Sequence, residues 1–142
     1  MKELKKWNQS YGFLFGKVLQ RMENTFAEGL RPYEINARQY GVLLFIKGNP
    51  YSSQKDISEN LQIDRTTMVS HIDHLETLGF VERTKNPNDR RSYSLKITEK
   101  GNDVLDSRWE FLVNTELEVL APLNQQERQL LKDCLIKIWR SL

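Results

Sequence analysis

The sequence predicts a mainly α-helical fold with a small two- or three-stranded β-wing: a winged helix-turn-helix with long helices at both ends. Two observations support this prediction. Apolar residues recur at steps of three and four along most of the chain, which is the period of amphipathic helices. Between Gly79 and Thr98 the pattern alternates around Asn86-Pro87-Asn88, which is typical of two strands joined by a turn.

Length and composition are those of one globular domain, residues 1–142, with 39% apolar and 28% charged residues. The longest apolar run, Val42–Ile46, is far shorter than the ~20 residues that span a bilayer, and the start has no signal-peptide hydrophobic region. The single cysteine, Cys134, excludes an intramolecular disulfide and fits a reducing compartment. We expect a cytoplasmic protein with no membrane partner.

The first helix is predicted from Leu4 to Phe26, because its apolar residues form one stripe. Phe15 and Leu19 widen that stripe beyond what the surface helix of a monomer usually needs. Gly29 and Pro32 end the helix.

The second helix is predicted from the N-cap residue Asn36 to about Lys47. Its apolar run could also form a strand, but its length and the polar residues before it favour a helix. A short third helix, Gln54 to Leu61, follows, and either Ser52 or Ser53 caps it.

The fourth helix is predicted to begin after the N-cap residue Asp64 and to end at Gly79. Its buried face is expected to hold Met68, Ile72, Leu75 and Leu78. Two helices joined by so short a turn form a helix-turn-helix, which occurs in DNA-binding proteins and also as a plain packing unit.

The hairpin that follows carries much of the positive charge. Residues 83–96 hold five basic residues and one acidic residue, whereas residues 101–142 hold five basic and seven acidic residues. Such asymmetry is typical of a surface that binds a polyanion. A charged edge that protects the strands from association explains the charge equally well.

Two long helices close the chain. Thr98 caps the first, Pro122 breaks it, and Asn124 with Glu127 caps the second. The terminal helices carry large apolar side chains in excess of what a small winged helix can bury, namely Trp7, Tyr11, Trp109 and Trp139. We expect a homodimer to bury them, with two recognition helices roughly 34 Å apart. The alternative is that these helices complete the core of a monomer.

Residues 36–98 are therefore predicted to form the winged helix-turn-helix, and residues 1–35 and 99–142 the helical dimerisation region. The helix from Arg65 fits a DNA major groove. An arginine at the hairpin tip suits a narrow minor groove, and Asp89 could hold Arg91 by paired hydrogen bonds. The residues expected to contact double-stranded DNA are Ser53, Gln54, Arg65, Thr66, Thr67, Ser70, His74, Arg83, Asp89, Arg90 and Arg91.

The stretch Leu75–Gly101, LETLGFVERTKNPNDRRSYSLKITEKG, resembles the signature of the MarR (multiple antibiotic resistance regulator) family. The family pattern is approximately L-E-x-x-G-[LF]-V-x-R, then D-x-R, an apolar strand and [LI]-T-x-x-G, and every landmark is present. The flanking helices match too, so the resemblance covers the whole chain. It implies a homodimeric transcription regulator of a palindromic operator, in which Arg91 enters the minor groove and Asp89 pairs with it. The family often has an arginine where Ser70 stands, so base contacts cannot be copied over.

The leading hypothesis is a repressor that a small aromatic or phenolic effector releases from DNA. The alternative is a winged helix that binds protein partners and no DNA. We do not expect an enzyme or a cofactor, because no phosphate-binding glycine loop, carboxylate pair or activated nucleophile stands at a credible spacing.

Three further features have ordinary interpretations. His71 and His74 share a helical face and could bind zinc, but packing or DNA contact is favoured and no metal site is predicted. Cys134 is expected to be an inert core thiol. Four aromatic residues could line an effector pocket, although such residues more often belong to the core; they are Tyr11, Phe15, Tyr40 and Phe45.

Overall fold

The computed structural model describes residues 6–86 and 89–142, with the side chains of Trp7 and of residues 89–92 outside that description. The helices are α1 (Tyr11–Leu30), α2 (Ala37–Gly48), α3 (Gln54–Leu61), α4 (Arg65–Thr77), α5 (Glu99–Val119) and α6 (Gln125–Ser141). The strands are β1 (Ser52–Ser53), β2 (Val81–Asn86) and β3 (Asp89–Ile97). Short 3-10 turns lie at Lys6–Asn8 and Arg31–Tyr33. The predicted mainly helical fold with a small β-wing is confirmed.

Five helices begin at residues that the sequence predicts as caps. In each, the side-chain oxygen of the cap accepts a hydrogen bond from the backbone N–H three positions later, which satisfies a donor that the first helical turn leaves unpaired. The caps and their oxygen–nitrogen distances are Asn36 (2.8 Å), Ser53 (3.0 Å), Asp64 (3.0 Å), Thr98 (3.0 Å) and Asn124 (2.9 Å). The predicted starts of α2 to α6 are confirmed.

The beginning of the chain differs from the prediction of one helix starting at Leu4. That residue lies outside the described ones, and the described chain forms a 3-10 turn before α1 begins at Tyr11. Ser10 starts α1, because its carbonyl accepts a hydrogen bond from Leu14 N at 2.9 Å. The helix then continues past the apolar stripe to Leu30, and it ends between Gly29 and Pro32 as predicted.

The wing is a three-stranded antiparallel sheet in the order β1-β3-β2. β2 and β3 form the predicted hairpin, with Val81 opposite Ile97 and Arg83 opposite Leu95. β1 pairs with the other edge of β3 through Ser53 and Ser94. The two-residue β1 was not identified individually from the sequence, because it is too short to show alternation.

The winged helix has its own buried core, formed where α2 to α5 and the sheet meet. Its fully buried side chains include Tyr40, Leu43, Ile57, Met68, Ile72, Leu75 and Leu95. Leu78 was expected among them but is only half-buried, because it is the C-cap of α4 and the chain turns there.

Three residues of the family-like stretch fix the start of α5 against the sheet. Gly79 has φ +78°, in the left-handed region that favours glycine. The hydroxyl of Thr98 donates to Gly79 O at 2.6 Å and accepts from Gly101 N at 3.0 Å. A Cβ atom at Gly101 would collide with the carbonyl oxygen of Phe80. Glycine is therefore needed at both positions.

The chain divides into two compact units. One consists of the chain up to Thr25 together with Leu112–Leu142, and the other is Phe26–Phe111. The second unit contains the whole winged helix. It extends further on both sides than the predicted winged helix. On the N-terminal side it includes Phe26, because the ring of Phe26 packs edge-on against Tyr40 with 5.1 Å between centroids.

No helix within residues 6–86 and 89–142 combines the length and the apolar character needed to cross a membrane.

Candidate nucleic-acid interface

The N-terminal half of α4 has one buried face and one face open to solvent. Met68 lies on the buried face, whereas Arg65, Thr66 and Ser70 are exposed. The side chains of Thr66 and Ser70 are short, so that a partner can approach the helix backbone closely. The structure therefore brings together three of the residues predicted to contact DNA.

Val69 is also on this exposed face, with 40% of its surface accessible. It follows Arg65 by four positions and Thr66 by three, and such residues are neighbours on a helix surface. Sequence reasoning left Val69 out because it looked only for polar side chains. The helical spacing from Arg65 is the signal that could have found it.

Thr67 is half-buried at the start of α4 and bonded to Asp64. Its hydroxyl donates to Asp64 Oδ1 at 2.6 Å and its backbone N–H to Oδ2 at 3.0 Å. These side-chain and backbone hydrogen bonds lower the pKa of Asp64 below its usual value, so the carboxylate stays charged. The hydroxyl proton of Thr67 is thus already donated to the N-cap residue Asp64.

His74 lies at the edge of the exposed face and is half-buried. Its Nε2 donates to the backbone oxygen of Glu34 at 2.6 Å. Glu34 follows the Arg31–Tyr33 turn and has a left-handed backbone with φ 61°. The imidazole therefore ties this turn to α4, a role that the predicted DNA contact did not include.

Arg83 connects the wing to α4. Its Nη2 donates to Asp73 Oδ1, and its Nε lies 3.7 Å from Glu76 Oε2. Glu76 and Arg83, both landmarks of the family-like stretch, are thus close together in the structure. The predicted DNA contact of Arg83 stays a prediction, with the guanidinium held by two carboxylates.

Ser53 and Gln54 lie at the start of α3, and both are half-buried. The Ser53 hydroxyl accepts from Asp56 N at 3.0 Å, and the Ser53 backbone N–H donates to Asp56 Oδ2 at 3.2 Å. Ser53 is therefore a helix cap in the first place. Gln54 occupies the first turn of α3.

The tip of the wing carries the predicted pair Asp89 and Arg91, together with Arg90. The side chains of these residues lie outside the described part of the chain, so their DNA contacts stay predictions. The backbone is described from Asp89 onward, and Asp89 stands opposite Asn86 next to an irregularity in the pairing.

The outer face of the sheet forms a shallow groove of about 640 Å³. It is lined by Tyr51, Glu82, Thr84, Lys85, Asn86, Ser94 and Lys96. Lys85 and Lys96 are exposed there. These two cations were counted in the charge of the hairpin but were not predicted as site residues.

His71 is buried between α2 and α4. Gln39 Nε2 donates to its Nδ1 at 3.4 Å, whereas its Nε2 is buried and has no hydrogen-bond partner among the described residues. Burial lowers the pKa of His71, and the charge of Arg38 adds to this shift. The two histidines thus bond to different residues: His71 to Gln39 and His74 to Glu34.

Cys134 was predicted to be a core thiol, and this is wrong: it is exposed on α6. The apolar residues of α6 around it are also largely exposed, Leu135 and Ile138 among them. A stripe of apolar residues indicates which face of a helix will be buried but not what buries it.

The interpretation of the aromatic residues as core is correct for Tyr40 and wrong for two others. Tyr40 is buried, with its hydroxyl donating to Leu105 O at 2.9 Å, and burial raises its pKa to about 12. Phe45 is half-buried. Tyr11 and Phe15 are exposed on α1, at 82% and 47%.

Exposed apolar side chains are concentrated in the unit that contains the terminal helices. On α1 they are Tyr11, Leu14, Phe15, Val18 and Leu19, and on α5 and α6 they include Leu117, Leu130, Leu135, Ile136, Ile138 and Trp139. Such a concentration of exposed apolar side chains in one unit usually marks an interaction site.

The chain is similar to known transcription regulators. A family model described as "MarR family" matches residues 33–92. The chain is 31% identical to the HTH-type transcriptional regulator PrsX of Escherichia coli over 120 residues, 75% of this chain and 72% of PrsX. It is 32% identical over 93 residues to the HTH-type transcriptional regulator BilQ of Clostridioides difficile, 61% of this chain and 63% of BilQ.

Solved structures agree over nearly the full length. The transcriptional repressor CouR, bound to a 23-mer DNA duplex, is 32% identical and superposes with a TM-score of 0.81 over 96% of this chain and 99% of CouR. The fold, the family-like stretch from Leu75 to Gly101 and these relatives agree, and the chain belongs to the MarR family of transcriptional regulators.

Proposed function

We propose that the protein is a homodimeric, sequence-specific regulator that binds a palindromic double-stranded DNA operator and represses transcription from it. The observation that carries this proposal is the exposed N-terminal half of α4, with Arg65, Thr66 and Ser70 on one face of a winged helix. The similarity to CouR, a repressor bound to a DNA duplex, supports both the ligand and the direction of regulation.

In this proposal, α4 enters the major groove with its N-terminal half. Arg65 can donate two parallel hydrogen bonds to a guanine, and the hydroxyls of Thr66 and Ser70 can reach bases or phosphates. The C-terminal half of α4 carries Asp73 and Glu76, which phosphates would repel. Because Arg83 pairs with both acids, its charge compensates one of their two negative charges on this side of the helix.

The wing supplies the second set of contacts. Arg91 enters the adjacent minor groove, where a narrow groove concentrates negative potential, and Asp89 orients it. The exposed Lys85 and Lys96 are suited to phosphates, which fix register but carry no sequence information.

The dimer is formed by the terminal helices. A second copy would cover the exposed apolar residues of α5 and α6 together with Leu14, Val18 and Leu19 of α1, since burying such side chains contributes about 25 cal/mol per Å². Two-fold symmetry then places the two α4 helices of the dimer in consecutive major grooves on the same face of the duplex.

We further propose that the protein is cytoplasmic. A small aromatic or phenolic effector releases it from DNA. The exposed rings of Tyr11 and Phe15 lie 6.5 Å apart between centroids and are stacked, so they can accept another ring. An effector that binds the DNA-free arrangement of the dimer more tightly than the bound arrangement would lower operator affinity by that difference.

Selection of bound duplexes from a random pool tests the proposal. We expect a palindromic consensus, binding as a dimer, and an affinity that falls steeply with salt because phosphate contacts release counterions. Retention of all duplexes with equal, weak affinity would instead support a winged helix that binds protein partners. Repeating the selection with phenolic compounds tests the effector separately.

A further inference from the structure

One side chain on the exposed face of α4 is apolar, although its exposed neighbours are polar. Val69 is 40% exposed, and it is the only large apolar residue exposed on this fully described helix. The other apolar residues of α4, Met68, Ile72 and Leu75, are fully buried in the core. Val69 therefore has no role in the core of the winged helix.

The position of Val69 places it among the side chains proposed to contact bases. It lies one turn after Arg65 and directly before Ser70, on the same exposed face. A valine side chain has no hydrogen-bonding group, so the only favourable contact it can make in a groove is with another apolar group. In the major groove, thymine alone among the four bases presents one, its 5-methyl group.

We propose that Val69 recognises the 5-methyl group of a thymine in each half of the operator. This inference rests on the proposed function and makes it more specific, because it names the base and the atom that one residue reads. Arg65, one turn earlier, would read a guanine close to that thymine. Val69 is thus a specificity-determining residue that discriminates thymine from cytosine by shape and not by hydrogen bonds.

Replacement of thymine by deoxyuridine provides the test, because it removes the methyl group and keeps the base pair. Each thymine of the best selected duplex is replaced in turn, and the affinities of the wild-type protein and of Val69→Ala are measured. The wild type should lose about fourfold per half-site at one symmetric position, the equivalent of the ~0.8 kcal/mol for one buried methylene. Val69→Ala should show no loss at that position, because the two changes remove the same contact.

Thr77→Ala is the matched control, since Thr77 is exposed at the other end of α4. It should keep the wild-type response to deoxyuridine at every position. The inference is overturned if no thymine position responds, or if Val69→Ala responds as the wild type does, while tight binding to the unmodified duplex leaves the proposed function intact. Failure of the wild type to bind any duplex would overturn both.

Discussion

Arg83 on β2 donates a hydrogen bond from its Nη2 to Oδ1 of Asp73 on α4. The same guanidinium lies close to Glu76, one turn further along the helix. A single cation thus pairs with two acids, neutralises one of their two charges, and connects the wing to the helix proposed to enter the major groove.

Arg83→Ala should weaken operator binding much more than it weakens the fold. The ion pairs are largely exposed, so the free energy of unfolding should fall by only about 0.5 kcal/mol in denaturant titrations. Operator affinity should fall roughly tenfold, because Asp73 and Glu76 then face the phosphates without a counter-charge. Adding Asp73→Asn and Glu76→Gln should recover part of the affinity. A triple variant that binds no better than Arg83→Ala would show that repulsion is not the cause.

Arg91→Ala should lower operator affinity by about 5- to 150-fold, which corresponds to a lost groove contact of about 1–3 kcal/mol. Fluorescence anisotropy with a labelled operator measures this, and sedimentation checks that the dimer persists. The matched control is Lys137→Ala, which removes an exposed cation from α6. Equal losses in both variants would point to general charge attraction in place of a wing contact.

The stability of the winged helix should fall as the pH is lowered from about 7.5 to 5.5. Burial lowers the pKa of His71 in the folded protein from its ordinary 6.5, so the unfolded chain takes up the proton first. The contribution of neutral His71 is therefore complete above pH 6.5 and is lost as the pH drops towards the folded pKa. Denaturant titrations at several pH values measure the loss.

The variant His71→Gln should remove this part of the pH dependence, whereas His74→Gln should leave most of it in place, because His74 lowers the pKa of His71 less than burial and Arg38 do. Both variants keep all carboxylates, so a difference between their pH dependences of stability is due to the histidines and not to the acids. An unchanged pH dependence in His71→Gln would assign the effect to other groups.

Ile138→Asp should convert the protein to monomers without unfolding it. Ile138 is 52% exposed on α6, so the new charge costs little in the isolated chain but would be desolvated in the dimer. Sedimentation and circular dichroism measure association and helix content. Gln126→Asp, at an exposed polar position of the same helix, should remain dimeric. Dimers of Ile138→Asp at micromolar concentration would place the interface elsewhere.

The sequence predicts the helix starts well because each depends on residues only three positions apart. Asn36, Ser53, Asp64 and Asn124 can be identified as caps without knowing what surrounds the helix. Gly79 is similar, since it ends α4 by its own backbone preference.

The site is less predictable because its side chains choose partners far along the chain. His74 bonds to Glu34, forty residues away, and Arg83 to Asp73 across the helix–strand junction. Cys134 shows the same limit: the apolar pattern of α6 indicates a face to be buried, yet the single chain leaves it open. Val69 was missed because only polar side chains were considered as candidates for DNA contact.

The two-residue strand β1 links the sheet to the helix-turn-helix. Ser53 pairs with Ser94 of β3 and also caps α3, so one residue belongs to both the sheet and the helix-turn-helix. Tilting the hairpin would therefore pull on the first turn of α3, and we expect the hairpin and the helix-turn-helix to move together. In the proposed homodimer, an effector would then change the separation of the two winged helices and leave the internal shape of each one intact.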